Sequence, residues 1–176
     1  MQYASTNALG YDNMNHAETL YIRSTTGRYK VTTDDQILAA GRAAAESLIA
    51  PDDPMSNSRT TSAFFKAKLA GLGHECAAFL YLDSQHKPIA YIEHGHGTVT
   101  RASVYPREIV KTSLRVNAVA LVMAHNHPSG IAEPSSADLA LTRHLKKAMQ
   151  LLDVNLLAHI IVTGTSTTSL AERGQI

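Results

Sequence analysis

A polar stretch between two apolar segments contains the residue types that could bind a metal ion. The stretch AHNHPSGIAEPSSAD, residues 124–138, follows the apolar run NAVALVMA and leads into a run with helical spacing, LALTRHLKKAMQLLD. Side chains at positions i and i+2 of a strand point to the same face. If the apolar run is a strand, His125 and His127 project together and Asn126 points away. Two imidazoles on one rigid face can supply two ligands to one zinc ion.

Asp138 is the candidate third ligand, because it lies where the next helix is expected to begin. The loop before it contains Pro and Gly and can bring the chain back toward the histidines. A catalytic zinc ion takes three protein ligands and keeps another position for water. Such a site would lower the pKa of the bound water to about 7 and make it a nucleophile at neutral pH. The stretch therefore predicts a zinc site made by His125, His127 and Asp138.

Each part of this pattern also has a structural explanation. Ser135 and Asp138 fit a helix capping box, although Glu or Gln is more usual at the last position. A second His-x-His pair, His94 and His96, is followed by no acid at a helix start. The specific signal is the combination: His-x-His, seven residues, Ser, two residues, Asp.

The elements around the stretch predict an α/β layered domain with a mixed sheet. Predicted strands alternate with predicted helices, which is typical of this fold class. The strands are expected at 75–83, 88–95, 118–127 and 155–164, and the helices at 60–73, 105–117 and 136–152. Residues 1–16 form a predicted arm, 19–32 a hairpin and 33–50 a helix. We therefore divide the chain into an N-terminal region, 1–59, and a main domain, 60–176.

Composition limits the function classes. The 16 Lys and Arg residues balance 15 Asp and Glu residues, so the net charge of +1 gives no field to attract nucleic acid. The single cysteine, Cys76, excludes an intrachain disulfide and fits a reducing compartment. A cysteine in an apolar strand is usually inert core material, so a thiol protease is disfavoured. The sequence lacks an apolar run long enough for a membrane span and a signal-peptide pattern, so we expect a cytoplasmic protein.

The motif HNHPSG…PSSAD resembles the JAMM (MPN+) metalloprotease motif in the form found in bacterial RadC-like proteins. The segments VYPREIVKTSLRVNAVALVMAHNHPSG, DLALTRHLKKAMQLLDVNLLAHIIVTG and SLAERGQI follow the same family pattern. The resemblance covers about residues 60–176 and implies a cytidine-deaminase-like JAMM/MPN fold, a mixed β-sheet flanked by helices. It also implies that His125, His127 and Asp138 bind Zn²⁺ and that the Ser135 hydroxyl stabilises the oxyanion of the reaction.

The family also needs an upstream glutamate that moves a proton from water to the leaving amine. The acids to compare are Glu75, Glu93, Glu108 and Glu133. Glu133 lies in the loop, Glu108 in the first turn of a predicted helix, and Glu93 near a strand end. Glu75 stands where RadC-like sequences carry their glutamate, so the resemblance selects it.

The chain departs from the family at one position near the motif. RadC-like sequences usually have Asp-His in the strand after the motif helix, and this chain has Ala158 and His159. If that Asp supports the site, its absence alters how the metal ligands are oriented. The helix-hairpin-helix region of longer RadC proteins, which could touch DNA, is not recognisable in the first 60 residues.

Two functions from different classes follow. The first is a zinc-dependent hydrolase of a peptide or isopeptide-like amide, with a glutamate general base. The alternative is a non-catalytic, metal-stabilised binding module associated with DNA repair or mobile-element proteins.

Overall fold

The computed structural model of the protein describes residues 19–47, 55, 57–96 and 104–176. Its contacts form two units, one ending at Ala39 and one running from Ala40 to Ile176. The first unit contains an antiparallel hairpin of β1 (Tyr21–Arg23) and β2 (Tyr29–Val31), within the range predicted for a hairpin. The predicted arm, 1–16, lies outside the described residues. The division at residue 59 stays a prediction.

A mixed sheet forms the centre of the second unit, as the sequence predicts, and it has five strands where four were predicted. The elements that follow β2 are α1 (Asp34–Ser47), α2 (Ser58–Leu69), β3 (Cys76–Leu82), β4 (Pro88–His96), α3 (Pro106–Arg115), β5 (Ala120–Asn126), α4 (Ser136–Gln150), β6 (Asn155–Val162) and β7 (Thr167–Ser169). The strands of the sheet lie in the order β4-β3-β5-β6-β7; β5 and β6 run parallel, and the other neighbouring pairs are antiparallel. None of the described helices is long and apolar enough to cross a membrane.

Helices cover both faces of the central strands, so β3 and β5 are buried along their whole length. Alternate residues of β3 face opposite sides, because the side-chain period of a strand is two. Leu80 packs with Phe65 of α2 on one face, whereas Phe79 packs with Leu145 of α4 on the other. Each such fully buried side chain stabilises the fold by roughly 1.5–3 kcal/mol. This double cover explains the continuous apolar run in the sequence.

The connection from β5 to β6 decides where the polar stretch lies. Parallel neighbours need a crossover rather than a hairpin, and α4 provides it. Residues 127–135 therefore leave the carboxyl end of β5 and turn back to start α4. This helix covers the sheet face on which Met123 of β5 lies. Gly130 takes a positive φ of 80° in this loop, a conformation that side chains other than glycine rarely adopt. The loop brings the start of α4 next to the end of β5.

Candidate metal centre

The end of β5 fixes the two histidines of the motif. His125 pairs in register with Ala77 of β3 and with Ile161 of β6, so strands hold it on both sides. The backbone N–H of His127 donates to the Val162 carbonyl at 2.8 Å and extends the same ladder by one residue. His125 is buried and His127 is half-buried. As the strand period predicts, both rings point to one side.

The start of α4 fixes Asp138 through a capping box, as the spacing of Ser135 and Asp138 predicts. The Asp138 N–H donates to Ser135 Oγ at 3.2 Å, and the Ser135 N–H donates to Asp138 Oδ2 at 2.8 Å. The Ser135 hydroxyl also donates to Asp138 Oδ2, at 2.6 Å. A carboxylate in the first turn is stabilised further by the helix dipole. The box holds the carboxylate in one orientation.

The two elements bring the three predicted ligands together. His125 Nε2 lies 3.2 Å from Asp138 Oδ1, and His127 Nε2 lies 3.7 Å from Asp138 Oδ2. The two Nε2 atoms are 2.8 Å apart. One ligand atom from each residue lies within 4.8 Å of the others, and no other group of three such residues occurs in the described part of the chain.

The hydrogen bonds of the ligand side chains determine which of their atoms have a lone pair for a metal ion. His127 Nδ1 lies 2.7 Å from the Ile131 carbonyl, which can only accept, so Nδ1 carries the proton. A neutral His127 then has a lone pair on Nε2, next to the two Asp138 carboxylate oxygens. Acceptor atoms that converge this closely need a positive charge between them. Imidazole nitrogens with one carboxylate are the ligand set of catalytic zinc sites, so these residues fit Zn²⁺.

The ionisation of these groups follows from their contacts. Burial raises the pKa of Asp138, but its contacts with His125, His127 and Ser135 outweigh burial and hold this pKa well below its usual range. When His127 is also protonated on Nε2, it can donate a hydrogen bond to Asp138, and this raises the pKa of His127 against the opposing effect of burial. Asp138 is therefore a carboxylate at neutral pH.

A cleft of about 470 Å³ opens beside the cluster, and Glu75 lines it together with His125 and Asp138. Glu75 immediately precedes β3, and its negative charge contributes to the raised pKa of His127. The cleft is also lined by Ala77, Val104, Met123, His127, Ser129, Ser135, Ala137 and Leu141. Both polar and apolar groups therefore face this space.

Similarity to known proteins shows the family of this chain. The RadC-like JAB domain family matches residues 55–175. The chain belongs to this family. It is 48% identical over 122 residues to a UPF0758 protein of Vibrio cholerae, covering 69% of this chain and 77% of that protein.

Two further relatives are longer than the matched region. The chain is 45% identical over 148 residues to a UPF0758 protein of Bordetella petrii, covering 84% of this chain and 66% of the relative. The identity to a UPF0758 protein of Methylibium petroleiphilum is 45% over 138 residues, covering 78% and 62%. The chain therefore spans less than two thirds of these two relatives.

The other three candidate glutamates of this RadC-like JAB domain lie outside the cleft lining. Glu93 accepts a hydrogen bond from the Tyr91 hydroxyl at 2.9 Å. Glu108 pairs with Lys111 at 3.0 Å. Glu133 pairs with Arg173 at 2.8 Å. Among the four candidates, Glu75 is the one placed beside the predicted ligands.

Asn126 has a function in the fold that the sequence did not reveal. It is buried, and its Oδ1 accepts from the Cys76 N–H at 2.7 Å. Its Nδ2 donates to the His74 carbonyl at 2.9 Å and to the Leu72 carbonyl at 3.4 Å. These bonds hold the backbone on both sides of Glu75. Asn126 therefore anchors the segment that carries the glutamate.

Ala158 and His159 of this RadC-like JAB domain lie on different faces of the sheet. Ala158 packs against the apolar cluster under α2. His159 is fully buried on the α4 side and lies 2.7 Å from His125. An Asp at position 158 would start from the face opposite the metal cluster. The departure therefore leaves the immediate contacts of His125 intact.

His94, the first histidine of the second His-x-His pair, has a different environment. His94 Nε2 lies 3.1 Å from the Tyr81 hydroxyl, and its ring packs edge-on against Phe79. Burial lowers the pKa of His94, partly opposed by the charge of Glu108. No carboxylate of the described residues joins His94 in a three-residue cluster. Its contacts are those of a packed side chain beneath α3.

Proposed function

We propose that this RadC-like JAB domain is a zinc-dependent hydrolase that cleaves a peptide or isopeptide-like amide. The main support for this proposal is that His125, His127 and Asp138 converge beside a cleft that Glu75 also lines. JAB domains are often zinc-dependent hydrolases, which agrees with this chemistry. We further propose that the chain acts in the cytoplasm on a protein or peptide.

Each residue has a separate task in this proposal. His125, His127 and Asp138 would hold the zinc ion. When bound, zinc polarises the scissile carbonyl and lowers the pKa of water to about 7. Glu75 accepts a proton from the attacking water and donates it to the leaving amine nitrogen, a general acid–base task.

Ser135 must change partners to stabilise an oxyanion. Its single hydroxyl proton is donated to Asp138 Oδ2, and its oxygen accepts from the Asp138 N–H. A cation at the cluster would share the carboxylate charge, which weakens the hold of Asp138 on this proton. The hydroxyl could then turn toward the carbonyl oxygen of the substrate. Ser135 thus caps α4 in the resting site and donates to the substrate during the reaction.

The proposal is tested by measuring zinc per chain in purified protein. We expect about one zinc ion in the wild type. His125→Ala, His127→Ala and Asp138→Ala should each lose it. His144→Ala is the matched control, because His144 is an exposed histidine on α4 outside the cluster. Zinc that stays stoichiometric in all three variants would reject the metal site.

Amide cleavage separates this proposal from the binding-module alternative. The zinc-loaded protein is incubated with a panel of peptides and lysine-linked isopeptides, and new amino groups are counted. We expect cleavage by the wild type and none by Asp138→Ala. Stoichiometric zinc without cleavage of any member would favour the non-catalytic module.

A further inference from the structure

A chain of buried polar side chains lies directly behind the metal cluster. His125 Nδ1 is 2.7 Å from His159 Nε2, and His159 Nδ1 is 2.6 Å from Thr142 Oγ1. The Thr142 hydroxyl donates to the backbone carbonyl of Asp138 at 2.6 Å. His159 and Thr142 are both 0% exposed, so water cannot replace these bonds. Neither residue lines the cleft.

The direction of each hydrogen bond follows from the last one. A carbonyl can only accept, so the single Thr142 proton is committed to Asp138. Thr142 Oγ1 must then accept from His159, which places the proton of a neutral His159 on Nδ1. His159 Nε2 is left as an acceptor and takes the proton of His125 Nδ1. His125 Nε2 therefore keeps a lone pair, and this is the atom that faces Asp138 and His127.

The same chain joins the two elements that carry the ligands. It starts on β5 at His125, passes through β6 at His159 and ends in the first turns of α4 at Thr142 and Asp138. Thr142 stands four residues after Asp138, so its hydroxyl reaches the preceding turn of the same helix. A shift of α4 along the sheet would break the bond between Thr142 and His159. The bonds thus fix the position of Asp138 relative to His125.

We propose that His159 and Thr142 are positioning residues that select the ligand tautomer of His125 and hold α4 in place for Asp138. The proposal rests on the proposed zinc site and deepens it. Partners behind a metal-binding histidine orient its ring and fix its tautomer, and losing one typically costs 10–100-fold in metal affinity. His159 would fix the tautomer of His125, and Thr142 would in turn fix the tautomer of His159.

The zinc affinities of three threonine variants test whether the Thr142 hydroxyl supports metal binding. Thr142→Val removes the hydroxyl, Thr142→Ser keeps it, and Thr61→Val is the matched control. Thr61 is also buried and donates to the carbonyl four residues before it, at 2.9 Å, but it lies on α2. Affinity is measured by competition with a chromophoric chelator, and thermal unfolding of the metal-free proteins reports stability.

The expected pattern is specific to the hydroxyl of Thr142. Thr142→Val should bind zinc about 10–100-fold more weakly than the wild type. Thr142→Ser and Thr61→Val should stay within about threefold of the wild type, a smaller change than the 10–100-fold loss expected for Thr142→Val. Wild-type affinity in Thr142→Val would overturn the proposal. So would an equal loss in Thr142→Val and Thr61→Val, because that would show only the cost of removing a buried hydroxyl.

The tautomer of His125 is a second readout that needs no metal. Nitrogen-15 NMR of chelator-treated protein distinguishes a proton on Nδ1 from one on Nε2, and His125→Gln assigns the signals. We expect the Nδ1–H form in the wild type and in Thr142→Ser, and a substantial Nε2–H form in Thr142→Val. The same tautomer in all three proteins would overturn the proposal. If the protein bound no zinc, the proposed function would fail. This measurement would still show whether Thr142 and His159 select the tautomer of His125.

Discussion

At the residue scale, the placement of protons separates a metal-binding histidine from a packed one. His127 donates through Nδ1 to a backbone carbonyl, so its Nε2 is left with a lone pair that faces the cluster. His94 instead has its Nε2 at hydrogen-bond distance from the Tyr81 hydroxyl. Each of these two residues belongs to a His-x-His pair in the sequence. The partner of each ring nitrogen decides which of them can bind a cation.

Glu75→Gln tests the proton carrier separately from the metal site. Gln has nearly the same size but cannot accept and return a proton, so activity should fall by about 10²–10⁴-fold. Zinc per chain should stay at the wild-type value, because Glu75 is outside the ligand set. Cleavage rate and bound zinc are measured on the same preparation.

Glu133→Gln is the control for this change, because Glu133 is exposed and pairs with Arg173 away from the cleft lining. It should retain wild-type activity. If Glu75→Gln is as active as Glu133→Gln, another group moves the proton.

The sequence could predict the residues whose geometry is local. His125 and His127 follow from the strand period, and Ser135 and Asp138 follow from a helix start, and the structure brings the four side chains into one site. Glu75 is fifty residues before His125, and it was selected by family resemblance rather than by spacing. The positions of His159 and Asn126 depend on strand register and on a segment before β3, so no local pattern reveals them.

At the element scale, the first turn of α4 is both a cap and part of the site. Ser135→Ala removes the hydroxyl that accepts from the Asp138 N–H. Loss of an N-cap of this type costs about 0.5–2 kcal/mol. We expect the free energy of unfolding of metal-free Ser135→Ala to fall by about 1 kcal/mol. Urea unfolding followed by circular dichroism measures it.

Ser136→Ala is the control on the neighbouring residue, an exposed serine in the first position of α4. It should change the free energy of unfolding by less than about 0.5 kcal/mol, as is usual for surface substitutions. A Ser135→Ala protein as stable as Ser136→Ala would mean that the capping box contributes nothing to stability.

Long elements with clear periodicity were predicted well, and one short strand of the central sheet was missed. The predicted strand 118–127 contains β5, and the predicted helix 136–152 contains α4. The helix predicted for 60–73 is α2, which ends at Leu69 because Ala70 takes an extended conformation. The three-residue β7 was missed, since its position depends on pairing with β6 rather than on a repeat of its own.

At the scale of the whole second unit, the covered sheet keeps two weak acids protonated. Burial, and to a smaller extent the negative charge of Glu93, raise the pKa of the Cys76 thiol to about 12. Burial also raises the pKa of Tyr81 to about 12, although a hydrogen bond with Thr112 and the charge of Arg115 oppose the rise. Both side chains lie on β3, one on each face. The thiol is therefore core material, in agreement with the prediction against a thiol protease.

These shifts predict that stability falls at alkaline pH. Below pH 9 the thiol and the phenol keep their protons in both the folded and the unfolded chain. Above the ordinary values of 9.0 for Cys76 and 10.0 for Tyr81, the unfolded chain loses protons that the folded chain retains. The unfolded state then binds fewer protons, so the free energy of unfolding decreases as pH rises. Each group contributes at most about 1.4 kcal/mol per pH unit.

Cys76→Ala isolates the contribution of the thiol. Urea unfolding of wild type and variant is measured from pH 8 to pH 11 with reductant present. Groups common to both proteins cancel in the difference, so the stability of the wild type relative to the variant should be constant up to about pH 9 and then decline. The decline should continue toward pH 11, because the folded thiol stays protonated until its pKa of about 12. Parallel curves over the whole range would mean that the folded thiol ionises as readily as in the unfolded chain, and that β3 is not sealed from solvent at Cys76.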